Sequence, residues 1–418
     1  MPSSPPAAPP RTPGPWAVAL AGAVSLAVAM GIGRFAFTPL LPLMLHDGLL
    51  DLPGASWLAS ANYLGYLLGA LLCTLQPWLW ARIGHPPPPD PAAMARGGLV
   101  ATALLAVAMA LPWPAAWPVL RFAAGVASAV VFVYISGWCL VQLARRDRAA
   151  LGGTMYTGPG LGIAGSGLVT GAVQSAGGGA AVGWGVFGVL AALLAATVWR
   201  TLQHGTLAAP PSAAAAPGAA GAAAPPAGRG EVALLAGGYG CAGFGYIITA
   251  TFLPVIARAA LPASPWLDLF WPIFGIGVIV GALATTRVSL AGDMRHRLAA
   301  CHVVQAVGVA ASLVSPTTAG FVVGSALLGL PFTAITYFAM QEVRRLRPAS
   351  AASTMGLLTA LYGIGQVLGP PVAALLIRWS GSADRGFTLA LLAAAATLLL
   401  GAALYLQAAR RHPKAIRR

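Results

Sequence analysis

Three charged side chains interrupt stretches of this 418-residue sequence that are otherwise apolar: Arg34, Arg121 and Asp268. A charge placed in hydrocarbon costs at least about 2.5 kcal/mol, so such a residue persists mainly where it faces a cavity or a partner. Arg34 lies deep within its stretch, too deep to snorkel easily. Arg121 stands near the end of its own, where snorkelling, a structural role and a functional one are all open. For Asp268 two readings are open: an ion pair with Arg34 or Arg121 that acts as a gate or proton-responsive switch, or a cap on the helix that follows Pro265. Glu342 is a second candidate for handling a proton. Two arginines against one aspartate leave a surplus positive charge, which favours an anionic ligand. A guanidinium holds a carboxylate through two parallel hydrogen bonds, a geometry that an ammonium lacks. Arg34 is therefore the expected carboxylate-binding residue.

Polar and aromatic residues recur at helical spacing elsewhere: Tyr239, Gly243, Tyr246 and Thr249; Thr359, Tyr362 and Gln366; Thr333, Tyr337 and Gln341; Asn62 and Tyr66. Such stripes either line a cavity or join helices by hydrogen bonds worth about 0.6 kcal/mol each. An enzyme within a membrane would need a nucleophile with a base, a carboxylate pair or a metal cluster in these stretches. None is visible. His302 has no acidic neighbour in sequence, and Cys73, Cys139, Cys241 and Cys301 read as small apolar residues. The sequence predicts no enzyme activity, metal site, disulfide or cofactor.

The elements that must hold these residues follow from composition. With 58% hydrophobic and 8% charged residues, against about 25% charged in a soluble domain, the chain predicts an all-α membrane protein. Twelve apolar stretches approach the roughly 20 residues that cross a bilayer. They repeat: the string from Gly31 to Pro42, GIGRFAFTPLLP, returns from Gly243 to Pro254 as GFGYIITATFLP, each residue 212 positions further along. The register carries Gly65 and Gly69 onto Gly277 and Gly281, Ala81 onto Asp293, and Arg34 onto Tyr246. The expected order is a disordered tail at 1–15, a six-helix bundle at 16–202, a disordered cytoplasmic linker at 203–230, a second bundle at 231–409 and a basic tail at 410–418. The first apolar segment far exceeds the roughly 7 to 15 residues of a signal-peptide core, so it is expected to stay as the first span. Gly65-x-x-x-Gly69 and Gly277-x-x-x-Gly281 should bring helix backbones together, and Pro39, Pro42 and Pro254 should interrupt the first and seventh spans.

The net charge of +15 gathers on one set of connections, including Arg145, Arg146 and Arg148, then Arg344, Arg345 and Arg347. This distribution is the positive-inside rule, which places both termini in the cytoplasm and excludes a nucleic-acid partner as the reason for the charge.

Twelve spans in a six-plus-six repeat resemble the major facilitator superfamily. Arg121-Phe-Ala-Ala-Gly125 is similar to its fourth-helix Arg-x-x-x-Gly motif, and Gly158-Pro159-Gly160 to its fifth-helix Gly-Pro motif. The string from Gly31 to Pro42, with Ala61-Asn-Tyr-Leu-Gly-Tyr66 and Gly243-Phe-Gly-Tyr246, resembles the YbfB/YjiJ branch. The superfamily's Asp-Arg-x-Gly-Arg-Arg latch reads here as Ala81-Arg82-Ile83-Gly84-His85-Pro86, without its acid. The resemblance implies two pseudo-symmetric six-helix bundles, with helices one, four, seven and ten as cavity walls. The expected function is secondary active transport of a small organic anion by alternating access across a bacterial inner membrane, coupled to protons, by a monomer. Substrate would meet Arg34, Tyr246, Tyr337, Arg121, Asn62, Tyr66, Tyr362 and Gln366. Asp268, Arg121 and Glu342 would serve coupling or gating. An exporter of hydrophobic compounds is the alternative, and a channel or a non-transporting receptor the further ones.

Overall fold

The computed structural model describes residues 13–84, 89–203, 228–261, 264, 266–288 and 292–413. Most of the expected tails and linker lie outside these residues, as do His85 and Pro86. Among the described residues the regular structure is helical. The long helices are α1 Pro15–His46, α2 Leu52–Arg82, α3 Pro91–Ala108, α4 Trp117–Ala144, α5 Gly158–Ser175, α6 Ala180–Trp199, α7 Arg229–Ala260, α8 Phe270–Arg287, α9 Met294–Val314, α10 Thr318–Leu346, α11 Ala351–Ser380 and α12 Ala383–Arg411. Among the described residues, 11 helices are long and apolar enough to cross a membrane. Twelve were expected; glycine-rich α5 is not among the 11, and it starts later than its apolar stretch because a short helix, Gly152–Met155, precedes it.

Packing follows the repeat. α1 lies on α5 as α7 lies on α11; α2 on α4 as α8 on α10; α3 on α6 as α9 on α12. The two sets meet through α2 against α11 and α5 against α8, which are again equivalent pairs. A hydrogen bond locates the relation between them. Thr38 Oγ1 donates to the carbonyl of Ala250 over 2.9 Å, and these two residues are repeat mates, 212 positions apart. Residues that touch their own mates must lie beside the pseudo-twofold axis, which in such repeats runs along the membrane normal.

Glycine sets how closely the helices approach. A Cβ on Gly31 would sit 2.3 Å from the Cα of Gly162, and one on Gly65 would sit 2.0 Å from the carbonyl oxygen of Phe122. Their repeat mates do the same work: Gly243 meets the carbonyl of Tyr362, and Gly277 that of Ala326. Backbone contact of this kind drives helix association where hydrophobic burial gives little.

Two expectations are corrected here. The prolines do not break α7, which continues through Pro254. α1 is instead distorted by a π-helical stretch, Ala27–Phe35, and the conspicuous break lies in α10, between Gly329 and Phe332 beside Pro331. The second concerns register. Asp293 is the N-cap of α9, where its carboxylate accepts from the backbone of Arg295. The residue in that place before α3 is Asp90, not Ala81, which is still inside α2. α2 runs on to Arg82, past Leu75, the repeat mate of Arg287 at the end of α8, and this extra helix, more than the connection after it, has shifted the register.

Candidate functional site

The site begins with the π-helical stretch. Widening a helix to this form displaces its carbonyls from their usual partners, and such distortions recur at functional positions. Polar side chains from neighbouring helices meet the displaced groups. Ser128 Oγ on α4 donates to the carbonyl of Ala29 over 2.7 Å. Asn62 Nδ2 on α2 donates to the carbonyl of Gly33 over 3.2 Å and to that of Arg121 over 2.9 Å. Arg121 itself donates from Nη2 to the carbonyl of Arg34 over 3.0 Å and from Nη1 to that of Gly33 over 3.4 Å. Its guanidinium also lies 4.9 Å from the centre of the Phe37 ring. Arg121 is 1% exposed, so it is not snorkelling, and both its Nη atoms are committed to backbone carbonyls of α1. It and Asn62, expected to touch substrate, position the helix that carries Arg34.

Arg34 is placed differently. It is 3% exposed and lies at the end of the distorted stretch, its guanidinium 4.0 Å from the centre of the Tyr66 ring and 5.2 Å from that of Tyr63. Nη2 donates to Gln366 Oε1 over 2.6 Å, Gln366 Nε2 donates to the Tyr246 hydroxyl, and Nε has no partner. Among the described residues no carboxylate forms an ion pair with Arg34 or Arg121. Four sequence-predicted residues therefore come together: Arg34, Tyr66, Gln366 and Tyr246. The repeat mates Arg34 and Tyr246 face each other through one amide, beside the axis.

Towards the end that carries Arg145 and Arg345, aromatic rings continue from this point on both sides. Tyr66 meets Phe132 at 6.5 Å, and Phe132 meets Tyr156 at 6.4 Å. Opposite, Tyr246 stacks on Tyr362 at 5.9 Å, and Tyr362 on Tyr239 at 4.7 Å. Tyr66, Phe132, Tyr156 and Tyr362 are only half-buried. Among the described residues no extensive packing joins α4 to α10 or α11, so the halves stand apart along these rings. Towards the other end they are closed. Phe35 packs edge-on against Trp271 and Phe332, Tyr63 pairs with Thr251 at 2.9 Å, and Ser60 Oγ donates to the carbonyl of Val367 over 2.8 Å.

Three expected site residues are elsewhere. Tyr337 is 37% exposed and contacts Phe338, not the Arg34 cluster; the break in α10 turns Phe332 inward in its place, against Tyr246 at 5.2 Å. Asp268 pairs with neither Arg34 nor Arg121 and caps no helix: it precedes α8 and binds Arg258 at 2.6 Å. Arg258 also donates to Gln174 Oε1 on α5 over 3.0 Å, so the group ties the two halves at their closed end. Arg258 and Asp268 flank one short connection, which was the available sequence signal. Glu342 is fully buried and paired with Arg345 at 2.5 Å. It joins Arg295, Glu231 and Asp293 in a network confined to the second half, in which Arg295 holds Glu231 at 2.7 Å. Tyr63, Phe35, Phe132 and Tyr156 were not singled out, because an aromatic residue in an apolar stretch carries no mark of which way it faces. His302 places its two ring nitrogens 2.9 Å and 3.0 Å from the carbonyls of Leu298 and Gly238, joining α9 to α7.

Comparison with known proteins agrees with this architecture. The crystal structure of the nucleoside transporter NupG superposes with a TM-score of 0.70 at 15% identity, covering 94% of this chain and 99% of that one. A bacterial homologue of the human lysosomal transporter Spinster, in an inward-facing and unoccupied conformation, gives 0.66 at 15% identity, covering 96% and 98%. At this identity the likeness concerns fold. No curated protein matches the sequence. The sequence model of the family described as uncharacterised MFS-type transporter YbfB matches residues 26–406, and the chain belongs to that family of multi-pass membrane transporters.

Proposed function

We propose that this transporter carries a small organic anion, binding its carboxylate at Arg34 and exposing that site to one side of the membrane at a time. The observation that supports this reading is a buried guanidinium, beside the pseudo-twofold axis, that donates to the neutral amide of Gln366 and meets no carboxylate among the described residues. An arginine in that setting is completed by an anion that presents two oxygens. Twelve spans cross the bacterial inner membrane with both termini in the cytoplasm, and the protein works as a monomer. The aromatic cleft then opens to the cytoplasm, and the contacts at Phe35, Tyr63 and Arg258 close the periplasmic side. Protons drive the cycle: protonation of Asp268 frees Arg258 and loosens the tie to Gln174. Glu342, held by two arginines, takes no part in this step.

A thermal-shift screen of carboxylates against lipophilic cations and neutral drugs on purified protein tests the binding. Carboxylates are expected to raise the melting temperature of the wild type and not of Arg34→Gln, with Arg34→Lys weakened about tenfold because it lacks the planar fork. Equal stabilisation of Arg34→Gln by the same carboxylates would sink the assignment. The half-buried aromatic rings favour one second reading, an exporter of hydrophobic compounds, for which lipophilic drugs would stabilise wild type and Arg34→Gln alike. Counterflow in proteoliposomes separates either transporter from a channel.

A further inference from the structure

The two aromatic walls face a cleft whose blind end is Arg34, and their composition narrows the anion. On one side Tyr66 comes from α2, Phe132 from α4 and Tyr156 from the turn before α5; on the other Tyr246, Tyr362 and Tyr239 form a stack from two helices of the second half. A transporter for a small aliphatic acid gains little from four half-buried rings, Tyr66, Phe132, Tyr156 and Tyr362, arrayed along its cleft with Tyr246 and Tyr239 buried behind them. A flat aromatic body gains a face on each side, since ring pairs at these separations attract beyond simple area burial. The walls also contribute few side-chain charges: Arg34 is the one charged group that contacts Tyr66 or the Tyr246–Gln366 pair among the described residues.

We propose that the substrate is an aromatic carboxylate, its carboxylate on the Arg34 guanidinium and its ring held between Tyr66 of the first half and Tyr362 of the second. This rests on the anion reading of the same site and adds the body to the head group. It also gives the rocking motion something to sense. A ring that touches both halves draws them together only when its carboxylate has reached the blind end, so a molecule lacking either part leaves the cleft open.

Isothermal titration of the full-length protein in lipid nanodiscs tests this with benzoate, 2-naphthoate, cyclohexanecarboxylate and 2-naphthamide. The aromatic acids are expected to bind saturably, 2-naphthoate at least about tenfold tighter than cyclohexanecarboxylate, and the amide not to bind. Tyr66→Leu and Tyr362→Leu should each narrow the preference for 2-naphthoate over cyclohexanecarboxylate by roughly threefold to tenfold, the range expected of one ring pair. Tyr66→Phe and Tyr362→Phe should keep the preference, which guards against a folding defect. Cyclohexanecarboxylate binding as tightly as both aromatic acids would overturn the aromatic proposal and leave the anion reading standing. The amide binding as tightly as the acid would overturn the anion reading itself. Failure of both aromatic acids to bind would overturn the proposal.

Discussion

Two arginines in one cluster take opposite roles because of what their nitrogens meet. Arg121 spends its guanidinium on the backbone carbonyls of Gly33 and Arg34, whereas Arg34 offers its own to the side-chain amide of Gln366; the Nε of each is unpaired. Arg121→Met should therefore act on stability first. It strips the donor from the Arg34 carbonyl and leaves that of Gly33 to Asn62 alone, a loss of about 1 to 3 kcal/mol, and should lower the melting temperature with or without ligand. Arg121→Lys should not restore it, since one ammonium replaces a fork that reaches two acceptors. Arg34→Gln should leave the unliganded melting temperature close to wild type while abolishing the ligand-induced shift. If the two variants behaved alike, this division of labour would be wrong. Both arginines were legible in the sequence as costly intramembrane charges. Which one faces a ligand was not, because that depends on backbone groups that only a distorted α1 exposes.

At the scale of helices, the close approach of α1 to α5 and of α2 to α4 rests on missing side chains. Gly31→Ala would put a methyl group 2.3 Å from the Gly162 backbone, and Gly65→Ala one 2.0 Å from the Phe122 carbonyl. Neither neighbour is a flexible side-chain tip, so the helices must part, at about 1 to 3 kcal/mol. Gly137→Ala on α4 is the control: nothing lies within 4 Å of its added Cβ, and the gain in helix propensity, up to about 1 kcal/mol, should make it neutral or stabilising. Thermal melts of the three variants check this ordering. The glycine spacings were readable in advance, and the structure places them on the helix pairs that the repeat requires. The kinks were less readable. Proline marked α1 and α7, but the widened turn in α1 is held by Asn62, Ser128 and Arg121 from other helices, and no local propensity encodes donors that arrive from elsewhere.

For the whole molecule, closure at one end and separation at the other is the property to test. Arg258 ties α7 to Asp268 and to Gln174 across the halves, on a partly exposed site where an ion pair contributes about 1 kcal/mol or less. Arg258→Ala should therefore shift the balance by only a few-fold, read as faster hydrogen exchange in the segment Phe37–His46 and at the end of α7, with the fold intact. Unchanged exchange there would show that the tie does not hold the closed end. The network around Arg295 differs, because its acids are deeply buried. Arg295→Ala leaves Glu231 and Glu342 short of a partner at 0% solvent exposure for the latter and should cost about 3 to 5 kcal/mol, which would appear as reduced yield of folded protein. The sequence alone determined the membrane class, the repeat and the family, because hydropathy, period and glycine spacing are properties of the chain read in one dimension. It also marked Arg34 and Tyr246 as the mates that differ. Tertiary structure decided that Gln366 joins those two beside the axis, that Asp268 belongs to Arg258, and that Phe332 rather than Tyr337 reaches the site. These are matters of direction: a side chain's type is written at its position, but what it faces is set by helices hundreds of residues away.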